Sequence, residues 1–425
     1  MKHIVFVESN ANGLSAIKTA KELGYFVTFI RSPHFEHYYI NDKLFDQVMN
    51  VIDNYIEVED ITNEKALAQV LESIHKDLPV DALITVSEHV ILPLAKAAHE
   101  VGVPFTSAEA VELARHKGKM RQCLQENGVP SARYGFCSDF NQMKIIADTL
   151  DYPLIFKPAS GLASFFTQKV NTLEELKVAY DEYKLGLQKL SDVYSTIMTD
   201  EIILEEYLEG LMVSLEISVT NGNAVPLAIC KRKRYSKDEI LELGSTMPAE
   251  LSSSRKNDVY EYGKKVLSAI GLDIGIFHLE IMLTSNGPRL IEANPRLIGG
   301  MGPRLLSLTL GKDIYGVLID AHLGNAILTP DEKPSYYSTS SVLALEEEYV
   351  CTDDLDISWL KEYEPSLIYH RFGLKPGDKV PKASSNEHSF GYFIVRAETS
   401  KGSEDLAETI LERFREELSL PVIVN

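Results

Sequence analysis

No run of apolar residues in this 425-residue chain is long enough to cross a bilayer, and the first one, in MKHIVFVESN, already ends at Glu8. Cysteine is scarce: Cys123, Cys137, Cys230 and Cys351 lie far apart with no C-x-x-C pair. That spacing fits reduced, buried thiols in a cytoplasmic protein better than a disulfide framework or a zinc site. Basic residues are short, 42 against 62 acidic ones, for a formal charge of -20. Nucleic acid and anionic membranes are thereby excluded as main partners, because binding them takes surplus positive charge. The loop ESNANGLS, at the first strand-to-helix turn, holds only Gly13 and lacks G-x-G-x-x-G, so there is no dinucleotide fingerprint. Its helix start could take a carboxylate or phosphate on free N–H groups, or simply be capped by Asn12 or a neighbour. There is no internal repeat and no low-complexity tract. What remains, 45% hydrophobic and 24% charged, is an ordinary globular composition with length for two or three cores.

Three blocks follow from the patterning. HIVFV, GLSAIKTAKELG and YFVTFI read as strand, helix and strand, and LITVSEHVILPLAKAAHEVG continues the alternation. Residues 1–115 are therefore expected to form a parallel α/β domain. From HKGKMRQCLQENG the order becomes mixed, which predicts α+β over 116–330. There TLEELKVAYDEYKLGLQKL reads as a long amphipathic helix and EIILEEYLEG as a strand running into a linker. Beyond Thr329-Pro330, the runs STSSVLALE, SLIYHRF and GYFIVRAE precede a last helix with Leu406, Ile410, Leu411 and Phe414 on one face. A small C-terminal α+β domain is expected over 331–425.

The densest chemistry lies in HLEIMLTSNGPRLIEANPRLIGG, residues 278–300. HLEIML and RLIEAN alternate about a Ser285-Asn286-Gly287 turn and predict a β-hairpin. Register decides its use. A two-residue Asn-Gly turn would set Glu280 opposite Ala293, whereas a three-residue loop with Gly287 left-handed sets it opposite Glu292. The three-residue loop is the expectation, with Glu280, Glu292 and Asn294 sharing one face as hard oxygen ligands for Mg2+, or Mn2+ in its place, carried in with nucleotide phosphates.

A glutamate followed eleven residues later by Glu-x-Asn-Pro-Arg and a double glycine resembles the metal-site signature of the ATP-grasp superfamily. The layout is most similar to its carboxylate-amine ligases, in particular the L-amino-acid ligases that make dipeptides, on looser motifs such as GGMGPRLL and GYFIV. The resemblance implies an N-terminal α/β domain, a central two-lobed ATP-grasp unit with a lid lobe over about 150–208, and a C-terminal domain. It implies that Lys117 and Lys157 flank the nucleotide phosphates, with Lys119 the alternative one helical step away. ASGLASFFTQKV then stands for the phosphate-covering loop, with Gly161 and Ser164 among its donors. Phe165 and Phe166 replace a further glycine there, and either wall off a substrate or pack into the small lobe.

In ILEEYLEG the resemblance assigns Glu205, Glu206 and Leu208 to the adenine base, the last two through the main chain. The glutamate that holds ribose in many relatives is Met212 here, which leaves Glu216 or no equivalent. Of the basic cluster Lys231 to Arg234, Lys231 is expected at the phosphates. Arg296 would stabilise charge on the transferred phosphoryl group and on the adduct that follows, and Arg304 would hold a substrate carboxylate. His278 shares the face of Glu280, as a catalytic residue or one satisfied within the sheet. The resemblance implies an ATP- and Mg2+-dependent ligase joining a carboxylate to an amine through an acylphosphate, with amino acids as substrates and a homodimer unsurprising. The rivals are a nucleotide-binding regulatory protein without catalysis, and a carboxylase-like user of the same chemistry.

Overall fold

The computed structural model describes residues 1–38, 43–160, 166–188, 200–327, 334, 336–386 and 388–424. Strands β1 (His3–Val7), β2 (Phe26–Arg31), β3 (Asn54–Glu57) and β4 (Ala82–Ile84) form a parallel sheet in the order β3-β2-β1-β4, connected by α1 (Ala11–Glu22), α2 (Lys43–Met49) and α3 (Glu64–Asp77) and followed by α4 (Ile91–Val101). Alternate side chains of β1 serve two cores. Val5 and Val7 pack with Leu67, Leu71 and Leu94, while Ile4 and Phe6 join Leu14 and Ile17. The Asn10 side chain caps α1, accepting from the N–H groups of Asn12 and Gly13 at 3.0 and 3.3 Å, so the helix start is closed by its own sequence.

Helices α5 (Ala108–Arg115) and α6 (Lys117–Glu126) lead to a small lobe built from β5 (Tyr134–Cys137), α7 (Phe140–Leu150), β6 (Leu154–Pro158), β7 (Gln168–Val170), α8 (Leu173–Leu187) and β8 (Ile202–Glu206). Its antiparallel sheet runs β5-β8-β6-β7. The lobe therefore starts near residue 134 and not near 150, because β5 can satisfy its backbone only on β8. Leu154, Phe156, Leu204 and Tyr183 make a core of its own, and Phe166 stacks edge-on against Tyr183 at 5.3 Å between ring centres. Phe166 is thus a packing residue. Phe165, Gly161 and Ser164 lie outside the described residues.

The large sheet collects β9 (Leu211–Thr220), β10 (Asn223–Tyr235), β11 (Asp238–Met247), β12 (Gly275–Thr284) and β13 (Gly287–Asn294), with α9 (Ser253–Ile270) between β11 and β12. After α10 (Gly302–Leu310) and α11 (Ile314–His322), the chain adds β14 (Tyr337–Leu343), the short pair β15 (Tyr349–Val350) and β17 (Lys379–Val380), then β16 (Leu367–Phe372), β18 (Gly391–Ala397) and α12 (Ser400–Leu418). The eight-stranded order is β13-β12-β9-β10-β11-β14-β18-β16. The C-terminal block therefore keeps its own core, Leu343, Phe393, Ile410 and Phe414, while its strands extend the central sheet instead of forming a separate one. A further core joins Leu14 and Ile17 of α1 to Leu305, Ile314 and Leu318 and to Leu227 and Ile276 of the large sheet. The N-terminal unit is welded to that sheet, whereas the small lobe's core holds residues of that lobe alone.

Candidate active site

A cavity of about 690 Å³ opens where the small lobe, the large sheet and the loops of the N-terminal unit face one another. Strand alternation decides which side chains reach it. On β6 and β8, Leu154, Phe156 and Leu204 enter the small-lobe core, leaving Ile155, Lys157 and Glu205 on the cavity wall. On β9 and β12, Leu215, Ile217, Leu279 and Ile281 enter the large core. The opposite face then carries two polar rows across β9, β12 and β13: Ser214, Glu280 and Glu292, and beside them Glu216, His278 and Asn294.

The pairing of Glu280 with Glu292 is present, but a different turn produces it. Thr284 pairs with Gly287 about a two-residue Ser285-Asn286 turn, and Gly287 has φ 92°. That register alone would bring Ile291 opposite Glu280. The ladder shifts between Glu280 and Ile281, where Ile291 is an extra residue on β13, and the bulge turns Glu292 to the cavity face.

The site is dense in charge. His278 bridges two carboxylates, its Nδ1 lying 2.6 Å from Glu216 and its Nε2 3.3 Å from Glu280. Burial disfavours the imidazolium, yet Glu216 and Glu280 raise His278 to about 9. For Glu280, burial opposes ionisation, while His278, Arg232 and Lys117 bring its carboxyl down to about 2. Glu216 spends its charge on His278 and one of its oxygens has no hydrogen-bond partner. Lys117, at the first turn of α6, donates to Glu292 at 2.9 Å. Lys157 contacts Glu205 at 2.7 Å, and burial lowers its pKa against the pull of that carboxylate. Burial works against Glu205 as well, but Arg121 and Lys157 hold it at about 2. Both Glu205 oxygens are thus engaged by cations, while Glu206 accepts from Arg133 at 2.8 Å and Tyr207 and Leu208 continue the wall.

Two expectations are corrected by geometry. Lys231 does not face the cavity. It pairs with Glu404 of α12 at 2.8 Å, and Lys233 pairs with Glu408 one helical turn on. Alternation then sends Arg232 and Arg234 inward, where Arg232 is clasped by Glu242 and its Nε has no hydrogen-bond partner. Arg304 does not line the cavity either. On α10 the helical period buries Leu305 and Leu306 and leaves Arg304 exposed, its guanidinium 3.9 Å from the centre of the Tyr369 ring. Lys119 is held by Glu112, outside the cavity wall.

Arg296 is at the site, its Nε donating to Glu88 at 2.7 Å, while Arg115 takes the other oxygen of Glu88 at 3.0 Å. Burial raises the cost of the Glu88 charge, but Arg296 and Arg115 hold its carboxyl below the usual range. Asn12 donates to Gly300 O at 3.3 Å and accepts from Tyr315, which seats the first loop on the double glycine. Glu88, Arg121 and Arg232 were missed in the sequence. Period two in KRKR is a signal for Arg232, whereas nothing local marks the other two.

The donor set suits a hard divalent cation. Two carboxylates and an amide oxygen share one face, and among the described residues no three His, Cys, Asp or Glu side chains gather into a metal cluster. Such a site needs oxygens from a bound phosphate to complete it, as Mg2+ sites do.

Comparison with known proteins bears on the family and the fold. The ATP-grasp domain family matches residues 150–303, and the ATP-grasp N-terminal domain family matches 17–105. Alanine–anticapsin ligase of Bacillus subtilis (strain 168) is 25% identical over 294 residues, 64% of this chain and 61% of that protein. Dapdiamide A synthase of Enterobacter agglomerans is 26% identical over 332 residues, 75% of this chain and 73% of that protein. The chain spans about three fifths of the length of the alanine–anticapsin ligases it matches. The crystal structure of L-amino acid ligase from Bacillus licheniformis superposes with a TM-score of 0.79 at 18% identity, over 100% of this chain and 99% of that one, which shows the shared fold.

Proposed function

Because the chain is an ATP-grasp protein, we propose that it is an ADP-forming carbon–nitrogen ligase that joins a carboxylate to an amine, with amino acids as substrates. One observation carries the reading: Glu280 and Glu292, opposed on β12 and β13, face the same cavity as Lys117, Lys157, Arg232 and Arg296. Purely binding a nucleotide does not call for that whole set.

In the proposed reaction a substrate carboxylate oxygen attacks the γ-phosphorus of ATP, and the bond to the β,γ-bridging oxygen breaks to release ADP. The amine nitrogen then attacks the acylphosphate carbonyl carbon. The C–N bond forms, phosphate leaves with the electrons of the C–O bond, and the amine gives up a proton. Lys157 and Lys117 offset phosphate charge from two lobes. Arg232 and Arg296 reach charge that builds on the transferred group and on the tetrahedral adduct. Glu280, Glu292 and Asn294 would hold Mg2+ or Mn2+, which when bound neutralises phosphate charge. The base sits at Glu206 to Leu208, held through the main chain. Closure of the small lobe over the nucleotide excludes water from the acylphosphate.

The test is ADP and phosphate release from Mg-ATP with the twenty amino acids, singly and in pairs, followed by mass spectrometry. Release that needs a pair and yields their summed mass less water establishes the ligase. ATP binding without release from any pair rejects amino acids as the couple.

A further inference from the structure

Arg121 has no role in the sequence reading, yet its side chain is fully buried at the junction of three elements. An arginine so placed stands only where its donors are matched. Its Nε and Nη2 donate to the two carboxylate oxygens of Glu205 at 2.8 and 3.2 Å. Its Nη1 donates to Leu290 O at 2.5 Å, and Nη2 also reaches Ile291 O at 3.0 Å. Those two carbonyls belong to the β13 bulge. A bulge interrupts the ladder and leaves backbone groups in need of partners. The guanidinium fork supplies them from one side, and from the other the Tyr262 hydroxyl accepts from Leu290 N at 2.7 Å and donates to Pro130 O at 2.6 Å.

The consequence reaches every part of the cavity. The bulge is what turns Glu292 toward Glu280, one residue beyond Ile291. Glu205 is the next-to-last residue of β8, the strand that runs into the hinge at Tyr207 and Leu208, and the same carboxylate holds Lys157 of β6. One side chain thus ties the metal-ligand strand of the large sheet to the hinge strand and the phosphate lysine of the small lobe. We propose that Arg121 is a positioning residue that keeps the metal-, phosphate- and base-binding elements in mutual register. It does not line the cavity and acts through Ile291, Glu205 and Lys157. The inference rests on the nucleotide reading of the cavity. A planar fork is needed to meet two carbonyls and a carboxylate at once, so lysine cannot replace it.

Two variants test this. Arg121→Lys keeps the charge beside Glu205 and loses the fork. Arg121→Met combined with Glu205→Gln removes one cation and one anion, so the buried cluster of Arg121, Lys157 and Glu205 keeps its net charge and Lys157 keeps an acceptor. For each, thermal unfolding is followed first, and ADP affinity is then measured by calorimetry with and without Mg2+. The expected result is that folded variants bind Mg-ADP at least about tenfold more weakly than wild type. ADP without metal should be affected less, so that the gain from Mg2+ shrinks. A merely structural residue would lower the melting temperature and leave that gain intact. Mg-ADP binding within about twofold of wild type in both variants, with the full gain from Mg2+, overturns the inference while leaving the proposed function standing. A wild-type protein that binds no ADP overturns the nucleotide reading and this inference with it.

Discussion

Lys231 and Arg232 are adjacent in sequence and face opposite ways. Lys231 contributes a partly exposed ion pair with Glu404, worth little by itself, so Lys231→Ala should leave ATP turnover within about twofold of wild type. Arg232→Ala removes a partly buried cation from the cavity wall and should lower kcat by about a hundredfold or more. Parallel steady-state assays decide it, and an equal loss in both variants would reject the assignment. Glu292 gives a third case at this scale. Glu292→Ala frees Lys117 and removes one of the proposed oxygen ligands, and metal-dependent turnover should fall by on the order of a hundredfold or more with circular dichroism unchanged. Full activity in that variant would sink the metal site.

At the scale of the element, the β12–β13 hairpin shows how a turn and a bulge together set a register. Gly287 has φ 92°, a conformation costly for any residue with a Cβ. Gly287→Ala should therefore destabilise the protein by roughly 1–2 kcal/mol, read as a lower urea midpoint at constant m-value. Nucleotide affinity of the folded fraction should be unchanged, because Gly287 lies at the far end of the hairpin from Glu292 and outside the cavity wall. A large loss of affinity in folded Gly287→Ala protein would show instead that the turn controls the metal face. The same alternation that aims Glu280 into the cavity drives Leu279 and Ile281 into the core, so register and burial enforce each other.

At the scale of the whole molecule, the N-terminal unit and the large sheet meet at a buried histidine. His322 of α11 stacks on Phe105 at 5.9 Å, its Nδ1 lacks a hydrogen-bond partner, and burial lowers its pKa to about 4. The folded chain keeps this ring neutral, whereas the unfolded chain protonates it near 6.5. Between those values the unfolded state binds more protons, so stability rises with pH there. The contribution is complete above 6.5 and is lost as pH falls toward 4, by about 3 kcal/mol in all. Urea titrations at about pH 4.5 and pH 7.5 should show a smaller difference for His322→Phe than for wild type. An identical difference would mean that other groups set the acid limb.

The small lobe has a core of its own, and this is the physical basis for assigning motion to it and not to the welded N-terminal unit. Among the described residues no helix is long and apolar enough to cross a membrane.

Much of this was legible in the chain because it is local. Period-two and period-3.6 patterns, the Asn-Gly turn region and the spacing from Glu280 to Asn294 follow from backbone geometry that each segment carries within itself. They determined the parallel N-terminal unit, the existence of the hairpin and the identity of the candidate ligands. Tertiary structure decided the rest. The Ile291 carbonyl meets Arg121, 170 residues away, and Lys231 is turned to a glutamate of the last helix. The C-terminal strands join the central sheet through β14, which satisfies the edge groups of β11 that would otherwise be unpaired. A buried charge takes its role from the partners that surround it, and those partners become neighbours only when the chain has folded.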